Sequence, residues 1–262
     1  MADLSAVVLL RLGRMDEFEK RMLDVGRAVR KSGEPRFSRF LEPPEQSIAQ
    51  RAAHEAGVEC QTYGGYDEAE RRVAGLSQDG EIESWDWPVA CLRLSWNAKF
   101  ASAGHRDVLG AVMGLGLERA TIGDIQMGDG CAYLFALREV VSYVTANLDS
   151  AGRAKLKVDE IDASEAEIAP PIGVTRRITL ASMRLDALVA EGYDLSRGDA
   201  QALIKRGLVK LNHVECLKGD KVVVEGDLVS ARGYGRMKLV EQQGETKKGR
   251  TGAVVFRYGD LK

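Results

Sequence analysis

The chain has 262 residues, 45% of them hydrophobic and 29% charged, with a formal charge of −2 at pH 7. That is ordinary globular composition with room for two or three small domains, and it excludes a disordered, collagenous or membrane-embedded chain. The four cysteines, Cys60, Cys91, Cys131 and Cys216, are widely spaced without a CxxC pair. Neither a metal site nor a disulfide framework is therefore expected, and they read as small buried residues in a reducing compartment. No apolar run approaches ~20 residues, and the short run over 6–10 follows Asp3 rather than a basic region, so the expectation is a cytoplasmic protein with no membrane partner.

Met15, Phe18, Met22, Val25 and Val29 recur at steps of three and four with charged residues between them, the stripe of an amphipathic helix. Gly33 and Pro35 break it, and Pro43, Pro44 and Glu45 open a second helix running to about Glu55. Residues 1–56 are thus expected to be an N-terminal helical segment. From 57 to 162 the period changes: 89–94, 121–125, 131–135 and 155–161 read as strands, and 106–115 and 137–148 as helices. This predicts a central α/β domain, most simply a sheet with two helices on one face, RRM-like in outline but lacking the aromatic-rich strand that stacks bases.

His105, Arg106 and Asp107 adjoin at a helix start, but neighbours on a helix point in different directions, so they read as a polar first turn rather than a catalytic cluster. Tyr66 beside Gly64 and Gly65 reads as a tight turn. Gly110, Gly114 and Gly116 make neither GxGxxG nor a P-loop and are expected to allow close helix packing. The acidic stretch DEIDASEAEIAPP, residues 159–171, has two prolines and no apolar period, so a linker is placed at 163–175.

Residues 176–262 carry 17 Lys+Arg against 11 Asp+Glu, a charge of +6, which leaves −8 on residues 1–175. A basic C-terminal domain that docks on a polyanion follows, with the acidic body facing elsewhere or meeting a protein partner. Ser182 is placed to cap a first helix bearing Leu185, Leu188 and Val189 on one face. Ser196 is placed to cap a second, with Asp199 completing a capping box and Gly207 ending it. On that second helix Ala200, Leu203 and Ile204 form a buried stripe, while Arg197, Gln201 and Lys205 recur every four residues along an adjoining face suited to phosphates. Arg232-Gly233-Tyr234-Gly235-Arg236 sets two cations around a turn with one aromatic, and Lys247-Lys248-Gly249-Arg250 adds a basic loop.

The run Arg184-Leu185-Asp186, Leu195-Ser196-Arg197, Ala200, Leu203-Ile204, Gly207-Leu208-Val209, Leu211-Asn212 and Gly226-Asp227 resembles the ribosomal-protein S4-type RNA-binding domain. Upstream, Phe40-Leu41, Pro43, Glu45-Gln46, Gly64-Gly65-Tyr66, Ala69-Glu70-Arg71-Arg72, HRDVLG at 105–110, Leu115-Gly116 and Ile122-Gly123-Asp124-Ile125 resemble the YlmH-type proteins, which carry such a domain at the C-terminus. The resemblance spans roughly residues 37–260. It implies an α+β chain of N-terminal helices, a central RRM-like domain and an S4-type domain at 176–262. It implies binding of structured RNA, ribosomal and transfer RNA on the large ribosomal subunit, and a role in handling stalled translation complexes; some relatives are linked to cell division or photosystem assembly. One departure is His213 after Asn212, where many S4-type domains have Asn-Gly, because histidine is a poorer occupant of positive φ.

The expected RNA-binding residues are Arg184, Ser196, Arg197, Gln201, Lys205, Arg206, Lys210, Asn212, Arg232 and Arg236, with Ser196 organising a helix start and Asn212 a strand turn. Charge reversal at Arg197 and Lys205 is expected to abolish RNA binding without unfolding the chain, and affinity is expected to fall steeply with salt. No catalytic residue, cofactor or metal is expected. An RNA-modifying enzyme would need a separate catalytic domain or a glycine-rich cofactor loop, neither of which is visible. A protein–protein adaptor built on the acidic body is the third class, and it predicts that the first 160 residues bind a protein partner by themselves.

Overall fold

A computed structural model of the chain describes residues 4–83, 86–245 and 249–259. Its contacts divide the chain into two units, Met1–Ala169 and Pro170–Lys262. In the first unit the predicted stripe winds into α1 (Leu4–Ser32) and buries Phe18, Met22 and Val29. Gly26 lets α1 cross α2 (Pro43–Ala56) closely, since a Cβ there would lie 2.7 Å from the Ala56 Cβ. Prolines open α2 as expected, and the Glu42 N–H donates to Glu45 Oε2 at 2.7 Å.

Between those helices Arg36–Leu41 forms a strand, β1, where only helices and breaks were expected. The physical reason is its two-sided burial: Phe40 joins one core and Leu41 another, the alternation of a strand between two layers. With β2 (Glu59–Tyr63) and β3 (Arg72–Ser77) it makes an antiparallel sheet of order β1-β3-β2. The expected boundary after residue 56 falls inside this layer, because Ala56 and Val58 share one core with α1 and the sheet.

A second sheet is built from β4 (Val89–Ser95), β5 (Ile122–Gly128), β6 (Cys131–Leu137) and β9 (Lys157–Ile161), with α3 (His105–Gly114) after β4 and α4 (Arg138–Asn147) after β6. A short hairpin, β7 (Ser150–Ala151) and β8 (Ala154–Lys155), precedes β9. The order β5-β6-β4-β9, antiparallel throughout, is that of the split β-α-β-β-α-β fold. Both helices bury Val108, Val112, Val140, Val141 and Val144 on one face of the sheet, as expected. The glycines of this region do not serve helix packing: a Cβ at Gly110, Gly114 or Gly116 would meet nothing within 4 Å. Asp107 caps α3 by accepting from the Gly104 N–H at 2.9 Å, which accounts for the polar first turn. Cys91 and Cys131 are buried, whereas Cys60 and Cys216 are only half-buried.

The 163–175 stretch is not free throughout. Ala163, Ala166 and Ile168 are partly buried against the core on the second face of the central sheet, and β10 begins at Gly173.

The second unit is a six-stranded antiparallel sheet carrying two helices. Its elements are β10 (Gly173–Leu180), α5 (Leu185–Gly192), α6 (Arg197–Lys205), β11 (Val209–Leu211), β12 (Val214–Glu215), β13 (Leu228–Ala231), β14 (Gly235–Glu245) and β15 (Thr251–Tyr258), with strand order β10-β15-β14-β13-β11-β12. Leu185, Leu188 and Val189 of α5 and Ala200 and Ile204 of α6 pack on Val209, Val229, Met237, Leu239, Ala253 and Val255, and Leu203 is half-buried at the margin. Ser182 does not cap α5. The first residues of that helix instead donate to loop carbonyls, Leu185 N–H to Lys221 O at 2.8 Å and Asp186 N–H to Gly219 O at 2.9 Å.

Candidate nucleic-acid interface

The helix start that leads into the basic face is built as expected. Ser196 Oγ accepts from the Asp199 N–H at 3.1 Å and donates to Asp199 Oδ2 at 2.6 Å, and Gly207 turns the chain out of α6 with φ +69°. The Ser196 hydroxyl is therefore engaged within the helix.

The hub of the site is a residue that sequence reasoning passed over. Asp186 is 0% exposed, yet its carboxylate collects the side chains at the front of α6. Arg184 donates to Oδ1 at 3.2 Å and Oδ2 at 3.1 Å, Arg197 to Oδ1 at 3.1 Å, and Gln201 to Oδ2 at 3.1 Å. Burial pushes the Asp186 carboxyl up, but the hydrogen bonds from Gln201 and Arg184 and the Arg197 and Arg184 charges outweigh it and hold the group below its ordinary value. One carboxylate thus orients two guanidinium groups, which remain partly exposed. The signal for it was present: Asp186 is the one charged residue in the otherwise apolar run LDALVA. Arg197→Glu would set a second carboxylate against this buried one, so charge reversal at Arg197 and Lys205 is not a fold-neutral test.

Nine of the ten predicted RNA-binding residues separate into two groups, and Arg236 belongs to neither. Arg184, Arg197 and Gln201 are tied to Asp186, Ser196 to its helix, and Asn212 to a turn. Lys205 and Arg206 at the end of α6, Lys210 on β11 and Arg232 after β13 are exposed and make no ion pair among the described residues. The Arg232 N–H donates to Leu208 O at 2.9 Å, and Lys210 faces Ser230 across the β11–β13 ladder, so these cations gather around the α6–β11 junction. Arg236 lies apart on β14, with its guanidinium 5.4 Å from the Tyr258 ring centre. Lys247 and Lys248 of the predicted basic loop lie outside the described residues, and Arg250 is engaged with Glu191 and the Thr179 carbonyl within the unit.

At the β11–β12 turn Asn212 and His213 have φ of +48° and +67°, the two positive values that a two-residue hairpin requires, so histidine holds a place suited to glycine. The Asn212 amide donates to Asp227 Oδ1 at 2.7 Å, and its oxygen accepts from the Leu228 N–H at 2.9 Å.

The two aromatic side chains on β6 are not open to bases. Tyr133 and Phe135 on β6 are 3% and 0% exposed, sealed with Phe40, Val73 and Trp87 into a core on the side opposite α3 and α4. The residues that carry the YlmH resemblance here are fasteners. Asp124 accepts from Tyr66 Oη at 3.0 Å and the Glu70 N–H at 2.6 Å, and the buried Arg71 donates to Ile122 O at 3.0 Å and Phe40 O at 3.3 Å. Trp96, Lys99, Lys155 and Lys157 line a shallow groove at one edge of this domain, and Phe100, next to Lys99 in the chain, is 86% exposed. Among the described residues no group of three or more His, Cys, Asp or Glu side chains could hold a metal ion, and no helix is long and apolar enough to cross a membrane.

Three family descriptions match the chain: "YlmH, N-terminal" over residues 15–79, "Putative RNA-binding domain in YlmH" over 83–165, and "S4 domain" over 183–229. The chain is 36% identical over 239 residues to the "Ribosome-associated protein quality control protein P2" of Bacillus subtilis (strain 168), covering 90% of this chain and 93% of that protein. Among solved structures, the "Cell division protein ylmH from Streptococcus pneumoniae" matches at 24% identity and a TM-score of 0.48, over 58% of this chain and 94% of that one.

Proposed function

The chain belongs to the YlmH family, and from that premise we propose that it is a non-catalytic RNA-binding protein of the ribosome, gripping ribosomal and transfer RNA on the large subunit and acting on stalled translation complexes. The observation that carries this reading is the exposed cluster Lys205, Arg206, Lys210 and Arg232 at the C-terminal end of α6, with a pair of arginines preset by Asp186 at its N-terminal end. Guanidinium groups already oriented by a buried carboxylate lose little freedom when they meet a phosphate, and the lysines add salt-dependent attraction. The name of the Bacillus subtilis relative supports the ribosomal context.

Sedimentation of lysate through a sucrose gradient tests it, comparing the intact protein with a Lys205→Glu, Arg206→Glu, Lys210→Glu variant. Wild type is expected to co-migrate with large ribosomal subunits and the variant to stay near the top. Wild type near the top, or a folded variant that still co-migrates, overturns the reading.

A further inference from the structure

We propose that the outer face of the six-stranded sheet is a stacking platform for unpaired RNA bases, adjoining the cation cluster at the α6–β11 junction through Lys210; this rests on the RNA-binding reading above. Residues directly opposite in an antiparallel ladder share a face, as do residues two apart on one strand. Lys210 is opposite Ser230, and Ser230 is opposite Arg236. Lys238 is opposite Phe256, and Phe256 is opposite Thr175. Arg236 with Lys238, Phe256 with Tyr258, and Thr175 with Arg177 each follow at a step of two, so one face carries Lys210, Arg236, Lys238, Arg177 and the two rings. Both α5 and α6 bury their apolar sides on the opposite face.

The aromatic pair is organised. The Phe256 and Tyr258 ring centres are 4.9 Å apart at 88°, and the Arg236 guanidinium lies 5.4 Å from the Tyr258 centre. Phe256 lies over Gly173, where a Cβ would come within 2.5 Å of the ring, so the absence of a side chain on β10 gives the ring its place. Among the described residues two acids border this face, Glu215 opposite Lys210 and Glu241 opposite Val254, against the four cations named above. Rings that offer π surfaces between cations spaced along adjacent strands match a nucleic acid strand, whose bases stack while its phosphates meet the charges. The apolar groups of this face are the two rings, Leu228 opposite Lys238 and the buried Val254 opposite Arg177, a small area for a stable protein interface. Apart from Lys210, these residues lie outside the 183–229 stretch that matches the S4 domain.

The test uses the full chain, fluorescence anisotropy, and two labelled RNAs: a structured hairpin and an unpaired strand of about ten nucleotides. Phe256→Leu with Tyr258→Leu keeps the face apolar and removes its π surfaces. Affinity for the unpaired strand is expected to fall about tenfold while hairpin affinity, held at the α6–β11 junction, stays unchanged. Unchanged affinity for the unpaired strand overturns the platform and leaves the face to a protein partner. Failure of the wild type to bind either RNA overturns the RNA-binding reading and the platform with it. Because the leucine pair could disturb β15, the unaltered protein is also photocrosslinked to 4-thiouridine RNA. Adducts at Phe256 or Tyr258 support the platform; adducts confined to residues 197–206 overturn it.

Discussion

Two antiparallel sheets in this chain, one in each unit, pack two helices on one face and treat the other face in opposite ways. On the central sheet the second face carries Cys131, Tyr133, Phe135 and Leu137 in a row along β6, and Phe40, Val73 and Trp87 cover it. On the C-terminal sheet the second face interleaves Phe256 and Tyr258 with Arg236, Lys238 and Arg177. An aromatic on a strand is therefore no signature of binding by itself. What separates the two cases is its lateral neighbours, apolar where a second layer closes over the sheet and cationic where the rings stay partly exposed.

The largest expected effect comes from opening the closed face. Phe135→Ala should lower stability by about 3–5 kcal/mol in thermal or urea unfolding while leaving RNA affinity of the folded protein unchanged. Gly65→Ala should act in the same direction, since a Cβ there would lie 2.1 Å from the Phe135 ring at a φ of +98°. A mild effect of either would mean that the two layers of the first unit are not locked through Phe135.

Next in size is charge reversal at Lys205, Arg206 and Lys210. RNA affinity should fall roughly 10- to 100-fold near 0.15 M salt, and the slope of log affinity against log salt should flatten by about 2–3. The melting temperature should hardly move, because these side chains are exposed; a large drop would show that they support the fold.

Asp186→Ala should destabilise by about 1–3 kcal/mol, because the donors of Arg184, Arg197 and Gln201 lose their shared acceptor. Since the folded carboxyl is held below its ordinary value, its stabilising contribution is complete above that value and disappears as pH falls through the lowered one. Acid unfolding followed below about pH 4 should thus lose a component in Asp186→Asn. An identical acid profile for the variant would break the case for a charged hub.

The smallest expected change is a gain. His213→Gly relieves a non-glycine residue at φ +67° and should raise stability by about 0.5–1 kcal/mol with no change in RNA affinity.

Much of this architecture was legible from local pattern. The steps of three and four from Met15 to Val29, the cap at Ser196 and the apolar runs over 89–94 and 131–135 each state a local period or end signal, and each became the expected element. The cations near the end of α6 were legible as a face for the same reason. β1 was missed because six residues, RFSRFL, are strand-like only when a layer lies on each side. Ser182 was misassigned because the donors it was meant to satisfy are met by carbonyls of residues 219 and 221, more than thirty positions away.

The sequence by itself determined the six helices and the four strands of the central sheet, the basic character of the C-terminal unit, and which side of α6 is polar. Only the tertiary structure decided that Asp186 gathers two arginines and a glutamine, that Tyr133 and Phe135 are sealed, and that Phe256 and Tyr258 share a face with four cations. Periodicity along a chain records which side of an element a residue occupies. Whether that side meets solvent, a carboxylate or a second layer depends on segments distant in sequence, and no local period encodes their arrival.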